Sequence, residues 1–290
     1  MTALLITGAG GMLGQAVVAE ASTRGHQYAA LDRAGLDVTD APAVTRAVAQ
    51  AAPAWVINCA AYTDVDGAES DPRGALAVNG AGAGNVARAA AAIGARLVHL
   101  STDYVFDGRS RRPYVESDPT GPPSSYGASK LAGEREVAAS GAEHVIVRTS
   151  WLFGTGGRNF VDTMLELGAQ RDRLAVVSDQ VGCPTWTGHL APALLGLAEG
   201  DVAGVVHAAG AGSCSWHRLA VEIFALAGLD CEVGETSTAA VARPAPRPPY
   251  SVLGSERSDA PRLPAWREGL RAYLAQRGAL ARAGAPGSTA

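Results

Sequence analysis

The stretch ALLITGAGGMLG, residues 3–14, decides the fold of this chain. Its first five residues form a short apolar run without charges, the pattern of a strand buried on both faces in a parallel sheet. A helical pattern follows from Met12. Gly8, Gly11 and Gly14 lie between these elements, where they permit a tight turn and close approach of the backbone to phosphate. The pattern predicts a strand–turn–helix unit that binds a dinucleotide pyrophosphate at the helix N-terminus.

The spacing of these glycines leaves an alternative open. It is G-x-x-G-x-x-G and not the G-x-G-x-x-G of the standard dinucleotide fingerprint, so an ordinary strand-to-helix turn is the competing interpretation. The next strand, residues 27–31, ends at Asp32 and Arg33. A carboxylate there accepts hydrogen bonds from the adenosine ribose, whereas an arginine pairs with a 2′-phosphate. We therefore expect NADH or NADPH as cofactor, unless both residues are simply solvated.

A second acidic segment follows this strand. Asp40 precedes a helix that is predicted to begin near Ala41 and Pro42, where an aspartate is a good N-cap and proline suits the first turn. This capping role leaves Asp37 free to face the adenine of a bound cofactor.

Tyr126 and Lys130 form the candidate catalytic pair. They lie four residues apart in a helix that is predicted to open after Pro122 and Pro123, with a serine as its cap, so both side chains project from one face. A free tyrosine titrates near pH ~10, and we expect the lysine ammonium to lower its pKa and to hold the nicotinamide ribose. A pair with this spacing also arises by chance on helix surfaces. The phosphate turn upstream favours the catalytic interpretation.

A further polar group is needed for the substrate oxygen. The strand that begins at Arg96 runs into Ser101 and Thr102 at its carboxyl end, where ligands bind in open α/β sheets. Thr102 or Ser101 can donate a hydrogen bond to an oxygen that gains negative charge. A hydroxyl that caps a turn is the alternative.

Strand and helix patterns alternate to residue 148, which predicts an α/β fold with a Rossmann-type doubly wound parallel sheet. Residues 1–148 are expected to form the dinucleotide-binding domain, and residues 149–278 mainly a smaller substrate-binding part that includes a helix over 187–198. Residues 204–208 are expected to return to the main sheet. The proline-rich segment 243–250 should be an extended loop, and residues 279–290 a disordered tail.

Composition excludes some classes of function. A net charge of −4 gives no general attraction to nucleic acid or to an anionic membrane. The sequence has no apolar run of ~18 residues and no room for a signal peptide before the first strand, and its four cysteines are scattered, so we expect a cytoplasmic protein. An anionic substrate then needs local arginines. Arg243 and Arg247 are the candidates, with solvated charge on a loop as the alternative.

Several longer motifs make the chain resemble the extended short-chain dehydrogenases/reductases, and among them the dTDP-4-dehydrorhamnose reductase group. The resemblance covers residues 3 to 272, in order and without large gaps. It is carried by TGAGGMLG (7–14), VINCAAYTDVD (56–66), LSTDYVFDG (100–108), YGASKLAGE (126–134), RTSWLF (148–153), NF (159–160), DQVGCPT (179–185) and RPAPRP (243–248). The runs at 101–108 and 179–185 are far more specific than the glycine turn.

The resemblance implies NAD(P)H-dependent reduction of the 4-keto group of a dTDP-linked 6-deoxyhexose, giving dTDP-L-rhamnose or a related deoxysugar. By position, Tyr126 matches the proton donor, Lys130 its partner and Thr102 the hydroxyl that polarises the carbonyl. Asp103 and Trp151 match positions that line the sugar pocket. Positions around the cofactor are matched by Gly11, Met12, Leu13, Asp37, Val38, Ala60, Ala61, Tyr62, Thr63 and Leu100.

The chain departs from the family pattern at one point. Some members carry acidic residues that share a magnesium ion between subunits, but here Gln15 and the pair Gly188-His189 occupy these regions. We therefore expect no metal, and either a monomer or a homodimer. Two other functions stay open: a sugar-nucleotide epimerase or dehydratase that recycles NAD, and a non-catalytic subunit that regulates a methyltransferase-cofactor synthetase.

Overall fold

The computed structural model describes residues 3–281. Residues 282–290, most of the segment that the sequence predicts to be a disordered tail, lie outside this range. The strands of the described part are β1 Leu4–Thr7, β2 Tyr28–Leu31, β3 Trp55–Asn58, β4 Arg96–Thr102, β5 His144–Thr149, β6 Leu152–Phe153, β7 Arg173–Val177, β8 Val181–Gly182, β9 Thr185–Trp186, β10 Gly204–His207, β11 Cys214–Ser215 and β12 Glu232–Thr236.

Helices alternate with these strands through most of the chain. The α-helices are α1 Met12–Thr23, α2 Ala41–Ala51, α3 Gly67–Ser70, α4 Pro72–Leu76, α5 Ala83–Ala92, α6 Ser125–Ala138, α7 Phe160–Gly168, α8 Thr187–Glu199, α9 Trp216–Ala227 and α10 Trp266–Gln276. A π-helix over Ala77–Gly82 joins α4 to α5, and short 3₁₀ turns cover Asp103–Val105 and Thr238–Ala240.

Capping residues set two helix starts that matter for the site. The Asp40 side chain accepts a hydrogen bond from the Ala43 amide and begins α2, as predicted. The Ser124 hydroxyl does the same for the Gly127 amide and begins α6, the helix that carries the predicted catalytic pair. Both caps satisfy amides that have no partner inside the helix.

The main sheet has six parallel strands in the order β10-β5-β4-β3-β1-β2. The chain moves outward from β1 to β2, then crosses back over β1 to β3, so the strand order reverses between β1 and β3. Loops at the carboxyl ends part at such a reversal and leave a crevice for ligands. The predicted α/β class and doubly wound parallel sheet are confirmed.

Helices cover both faces of this sheet. One face packs on α2 and α5 through Val44, Val48, Val86 and the buried alanines of α5. The other face packs on α1 and α8. The sequence analysis placed the helix over 187–198 in the smaller part, but α8 packs against α1 because Leu190 and Leu194 on its apolar face reach the sheet core.

A second core lies outside the main sheet. It gathers α7, α9 and α10 around β7 and β12, with Phe153, Leu219, Phe224 and Tyr273 among its buried side chains. Strand β10 belongs to this part of the sequence but pairs with β5 in the main sheet. Over residues 3–281, none of the helices is both long enough and apolar enough to cross a membrane.

Candidate active site

A cavity of about 1130 Å³ opens at the carboxyl ends of the main-sheet strands. Its size exceeds the usual volume of a pocket for one drug-sized molecule, so it can hold a dinucleotide together with a second ligand. Nearly all of the predicted site residues line it: Gly8, Gly11, Met12, Leu13, Gly14, Asp32, Arg33, Asp37, Val38, Ala60, Ala61, Tyr62, Thr63, Leu100, Thr102, Asp103, Tyr126, Lys130 and Trp151. The two arginine candidates for the substrate, Arg243 and Arg247, do not line it.

The glycine turn forms a cradle that side chains would fill. Gly8 has φ +68°, and a Cβ there would lie 2.5 Å from the backbone nitrogen of Ala60. A Cβ on Gly14 would lie 2.2 Å from the Gly8 carbonyl oxygen. A Cβ on Gly11 would only touch the Gly8 carbonyl oxygen, at 3.4 Å, and this residue begins α1 without any side-chain cap. The first amides of α1 therefore face the cavity free to bind a phosphate group.

Acidic residues line the end of the cavity where the adenosine of a dinucleotide belongs. One oxygen of Asp32 accepts the Gly35 amide at 2.9 Å, which fixes the carboxylate beside Gly10. Arg33 is exposed at the same edge. Asp37 accepts both the amide and the hydroxyl of Thr39, and these hydrogen bonds keep its pKa below the usual value.

Asn79, which no sequence motif pointed to, holds the loop at Tyr62 against α6, the helix of Tyr126 and Lys130. Its side chain exchanges two hydrogen bonds with the backbone of Tyr62, at 2.8 and 3.0 Å. It also donates to the Ser129 hydroxyl at 2.9 Å, which in turn donates to the Tyr126 carbonyl. Asn79 lies in the π-helix, a rare element that often marks functional sites. No motif in the sequence signals this irregular turn.

Lys130 is buried beneath the cavity floor. Its ammonium donates a 2.6 Å hydrogen bond to the Leu100 carbonyl oxygen on β4, and only 3% of the residue is exposed. Burial lowers the Lys130 pKa to about 8, although the Glu134 carboxylate favours the charged form. The ammonium has three hydrogens, so two remain to bind a ligand above it.

The pKa of Tyr126 differs from the expectation. Burial of its hydroxyl raises the pKa to about 12, while a hydrogen bond to Thr102 acts in the opposite direction. The prediction of a lowered Tyr126 pKa is therefore wrong. The lysine donates to the Leu100 carbonyl, and desolvation of the phenol outweighs the remaining effects.

Thr102 and Asp103 form a coupled pair at the end of β4. The Thr102 hydroxyl donates to one Asp103 oxygen at 3.0 Å and accepts the Tyr104 amide at 3.2 Å. Burial raises the Asp103 pKa to about 7, although hydrogen bonds with Ser251 and Thr102 act in the opposite direction. The hydroxyl therefore lies in the cavity with its proton held by a carboxyl group that titrates near neutrality.

The structure separates the two hydroxyls that the sequence left as alternatives. The Ser101 hydroxyl donates to the Glu134 carboxylate, which also forms a two-pronged ion pair with Arg148 at 2.9 and 2.7 Å. Both charged side chains are almost fully buried. Ser101 is thus committed to a structural network, which leaves Thr102 as the hydroxyl available to a substrate.

Two stacked indoles form part of the cavity wall. The rings of Trp151 and Trp216 lie 3.5 Å apart and are parallel within 3°. Trp151 has φ +46°, a left-handed conformation that costs a non-glycine residue about 1–3 kcal/mol. Its ring lies flat on Gly182, where a Cβ would come within 2.4 Å of the indole. Trp216 also lines the cavity, and no motif of the sequence pointed to it.

Arg247 lies apart from this cavity. Its guanidinium forms an ion pair with Asp66 at 2.9 Å and lines a second, smaller cavity with Arg243. The sequence made Arg247 a candidate for the substrate, but this side chain does not line the cavity that holds Thr102, Tyr126 and Lys130. Arg158, which no motif of the sequence pointed to, also lines the main cavity.

Comparisons with known proteins agree with this geometry. The family model for the RmlD substrate binding domain matches residues 1–278. The chain is 49% identical over 260 residues to a dTDP-4-dehydrorhamnose reductase of Streptomyces griseus, covering 87% of this chain and 86% of that protein. It is 45% identical over 280 residues to a probable dTDP-4,6-dihydroxy-2-methyloxan-3-one 4-ketoreductase of Streptomyces antibioticus, covering 92% of each chain.

A solved structure gives the same picture. The dTDP-4-dehydrorhamnose reductase of Bacillus anthracis, crystallised in complex with NADP, superposes with a TM-score of 0.92 at 38% identity. The superposition covers 95% of this chain and 99% of that one. The chain therefore belongs to the dTDP-4-dehydrorhamnose reductase family.

Proposed function

We propose that this protein uses NADH or NADPH to reduce the 4-keto group of a dTDP-4-dehydro-6-deoxy-L-hexose. The product is dTDP-L-rhamnose or a related deoxysugar. The observation that carries the proposal is the convergence of Thr102, Tyr126 and Lys130 on the same cavity that the glycine cradle lines. Membership of the reductase family supports the same reaction.

The cofactor site fits a dinucleotide on two grounds. Gly8 and Gly14 let the turn pack directly on neighbouring backbone, where any Cβ would collide, and the first amides of α1 beyond the turn have no side-chain cap and can bind a pyrophosphate. Asp32 and Arg33 stand where the adenosine ribose, with or without a 2′-phosphate, would be held. When bound, the reduced nicotinamide supplies a hydride to the carbonyl carbon of the substrate.

Tyr126 is the proton donor in this proposal. A phenol with a pKa of about 12 is neutral at pH 7 and carries the proton that a developing alkoxide needs. Lys130 donates one ammonium hydrogen to the Leu100 carbonyl, and its two remaining hydrogens would hold the cofactor ribose. Its charge favours the phenolate that remains after proton transfer.

Thr102 orients and polarises the substrate carbonyl. Its hydroxyl can leave the Asp103 oxygen and donate to the substrate oxygen, where it stabilises negative charge in a site screened from water. The stacked indoles of Trp151 and Trp216 offer a flat apolar wall against which a sugar ring packs. Asp103, next to Thr102, is placed to accept hydrogen bonds from sugar hydroxyls.

We further propose a metal-free monomer or homodimer that works in the cytoplasm. The Gln15 amide donates to the carbonyl oxygens of Gly10 and Gly156, so it ties the glycine turn to the loop before α7. A neutral amide in this role supports a site that needs no cation. Sedimentation of the protein with magnesium and with a chelator tests this, and a change in mass between the two would contradict it.

One experiment separates the reductase from its rivals. The protein is incubated with dTDP-4-keto-6-deoxysugars, and the oxidation of NADPH and of NADH is followed in separate reactions. A reductase consumes reduced cofactor in proportion to product. An epimerase or dehydratase, which the acidic Asp103 beside Thr102 makes the nearer rival, recycles its hydride and consumes none. A regulatory subunit gives no turnover at all.

A further inference from the structure

The DQVGCPT run at residues 179–185 is one of the specific motifs of the sequence, yet none of its residues lines the main cavity. Two of them instead contact the stacked indoles of Trp151 and Trp216, which we call the indole wall. Gln180 forms a hydrogen bond with Trp216, and Gly182 lies against the ring of Trp151. These contacts point to a role for the run in shaping the wall.

Trp151 is held in place mainly by backbone. Its φ of +46° is a left-handed conformation that few non-glycine residues adopt. The Trp151 carbonyl oxygen accepts the Thr185 amide at 3.1 Å. A Cβ on Gly182 would lie 2.4 Å from the indole, so the ring is in close contact with the backbone there. The position of this ring is therefore fixed before any ligand binds.

Trp216, the first residue of α9, is held by its neighbours' side chains. Its ring stacks on that of Trp151, with centroids 3.5 Å apart, and packs against Phe160 at 4.6 Å. Aromatic packing of this kind fixes the plane of a ring and its distance from the next one. It restricts rotation of the indole within its own plane only weakly, because a stacked contact persists as the ring turns.

Gln180 supplies the contact that restricts this rotation. The indole N–H of Trp216 donates to the Gln180 side-chain oxygen at 3.1 Å. The N–H is the only polar group of the ring, and it lies at the ring edge. The pairing of β8 with β11 places Val181 opposite Ser215, so the residues on either side of the hydrogen bond are held by the same strand pair. A bond at the edge of a stacked ring fixes its in-plane rotation.

The Gln180 side chain is itself held in one orientation. Its amide donates to the Thr238 hydroxyl oxygen at 2.9 Å, and that hydroxyl donates to Asp179 at 2.6 Å. Because the Thr238 proton is used on Asp179, the hydroxyl can only accept from Gln180. The indole N–H of Trp216 can only donate. The oxygen of the Gln180 amide must therefore face Trp216, and its nitrogen must face Thr238.

Asp179 anchors the far end of this chain of hydrogen bonds. Its two oxygens accept the Thr238 amide at 2.9 Å each, and the hydrogen bonds from Thr238 lower the Asp179 pKa. The carboxylate is thus charged at neutral pH, and hydrogen bonds to a charged acceptor are the stronger ones. Bonds that run in one direction also polarise one another. The orientation of Gln180 is therefore set by Asp179 through Thr238.

We propose that Gln180 is a positioning residue of the sugar site, which fixes the rotation of the Trp216 ring on Trp151 and thereby sets how tightly the sugar of the substrate binds. The inference rests on the proposed function, because it takes a sugar as the group that packs on the indole wall. Gln180 lines the second cavity and not the main one, so it acts through Trp216. A wall that is ordered in advance lowers the entropy cost of binding.

Hydrogen exchange followed by nuclear magnetic resonance tests the hydrogen bond without any ligand. In ¹⁵N-labelled protein, Trp216→Phe identifies the indole N–H signal of Trp216. In Gln180→Met, which keeps the length of the side chain, this N–H should exchange with solvent about tenfold faster or more, because its acceptor is lost. Thr238→Val should speed the exchange by a smaller factor, about two- to fivefold, because Gln180 is no longer held in one orientation. Unchanged exchange in Gln180→Met would overturn the proposal.

Titration calorimetry with dTDP-L-rhamnose and with dTDP measures the contribution of the sugar. Gln180→Met should bind dTDP-L-rhamnose about three- to fivefold more weakly, because the sugar must then order the Trp216 ring. The affinity for dTDP, which has no sugar to pack on the wall, should stay the same. Gln170→Met is the matched control at an exposed residue outside both cavities, and it should leave both affinities unchanged. Equal changes for the two ligands in Gln180→Met would reject the role in sugar binding.

Turnover distinguishes this inference from the proposed function. With a 4-keto substrate, Gln180→Met should raise KM by the same factor and leave kcat within about twofold, because no reacting group is altered. If this variant does not fold, Thr238→Val takes its place and should show the same selective loss for the sugar nucleotide. A protein that shows these binding effects but reduces no keto sugar would contradict the reductase and keep the positioning role. A protein that reduces the sugar with unchanged KM in Gln180→Met would contradict the positioning role alone.

Discussion

The half of the cavity that we propose to bind the cofactor and the half that we propose to bind the sugar, called here the cofactor half and the sugar half, are built in different ways. The cofactor half consists of backbone and small residues from short continuous segments, above all the glycine cradle at Gly8 and Gly14. The sugar half consists of large side chains, among them Trp151, Trp216 and Asp103, brought together from distant segments. A site built from backbone can be recognised in one local stretch of sequence, whereas a site made of side chains depends on how the whole chain packs. Changes in the two halves should therefore have separable effects.

The largest expected effect is at the boundary between the halves. Tyr126→Phe should reduce turnover by about 10²–10⁴, because it removes the proton donor but keeps the ring that packs on Tyr104. Cofactor affinity, measured by quenching of protein fluorescence, should stay within about twofold. Tyr104→Phe is the matched control and should retain most of the activity. Unchanged turnover in Tyr126→Phe would remove this residue from the mechanism.

Asp103, in the sugar half, should lower the stability of the fold at neutral and higher pH. Its pKa of about 7 lies above the value in an unfolded chain, so the folded protein binds this proton more tightly than the unfolded chain does. The free energy of unfolding therefore falls as the pH rises from about 4 to 7. Asp103→Asn should therefore stabilise the fold at pH 8 by on the order of 2 kcal/mol, with no gain at pH 3.5. Thermal unfolding at several pH values measures this.

Asp107→Asn, in the same segment, should change the free energy of unfolding in the opposite direction. A hydrogen bond from Tyr114 lowers the Asp107 pKa, so this carboxylate adds stability at neutral pH that is lost as the pH falls through its folded pKa. The variant should be less stable than the unmodified protein at pH 8. If Asp103→Asn also destabilises at pH 8, burial does not dominate the energetics of Asp103.

The sequence predicted the cofactor half better than the sugar half for a physical reason. The cradle and the Tyr126–Lys130 spacing are local patterns, and their placement follows from one turn and one helix. Trp216 reaches Trp151 only because β8 and β11 pair, with Cys214 opposite Gly182. The pKa of Tyr126 depends on burial by the assembled fold, so the local pair predicted its position correctly but the direction of its shift wrongly.

A substitution in the indole wall should change the binding of the sugar without changing the binding of the cofactor. Trp216→Leu should raise the KM for the keto sugar about tenfold, because the stacked wall loses an aromatic partner, and should change NADPH affinity little. Trp186→Leu is the matched control, since this indole packs near His189 and does not line the main cavity. Steady-state kinetics with both variants decide the point, and equal effects on KM and on NADPH affinity would erase the distinction between the halves.

The smallest effect is expected at the edge of the cofactor half. Arg33→Ser should reduce the preference for NADPH over NADH by about three- to fivefold, because an exposed arginine contributes modestly to binding a 2′-phosphate. The rate with NADH should stay unchanged, because Asp32, the carboxylate proposed to bind the ribose, is not altered. Arg46→Ser, at an exposed arginine on α2, is the control and should leave both cofactors equal to the unmodified protein. If Arg33→Ser slows NADH and NADPH alike, the arginine contacts the common part of the cofactor, and selectivity must be set by Asp32 and the backbone of the turn.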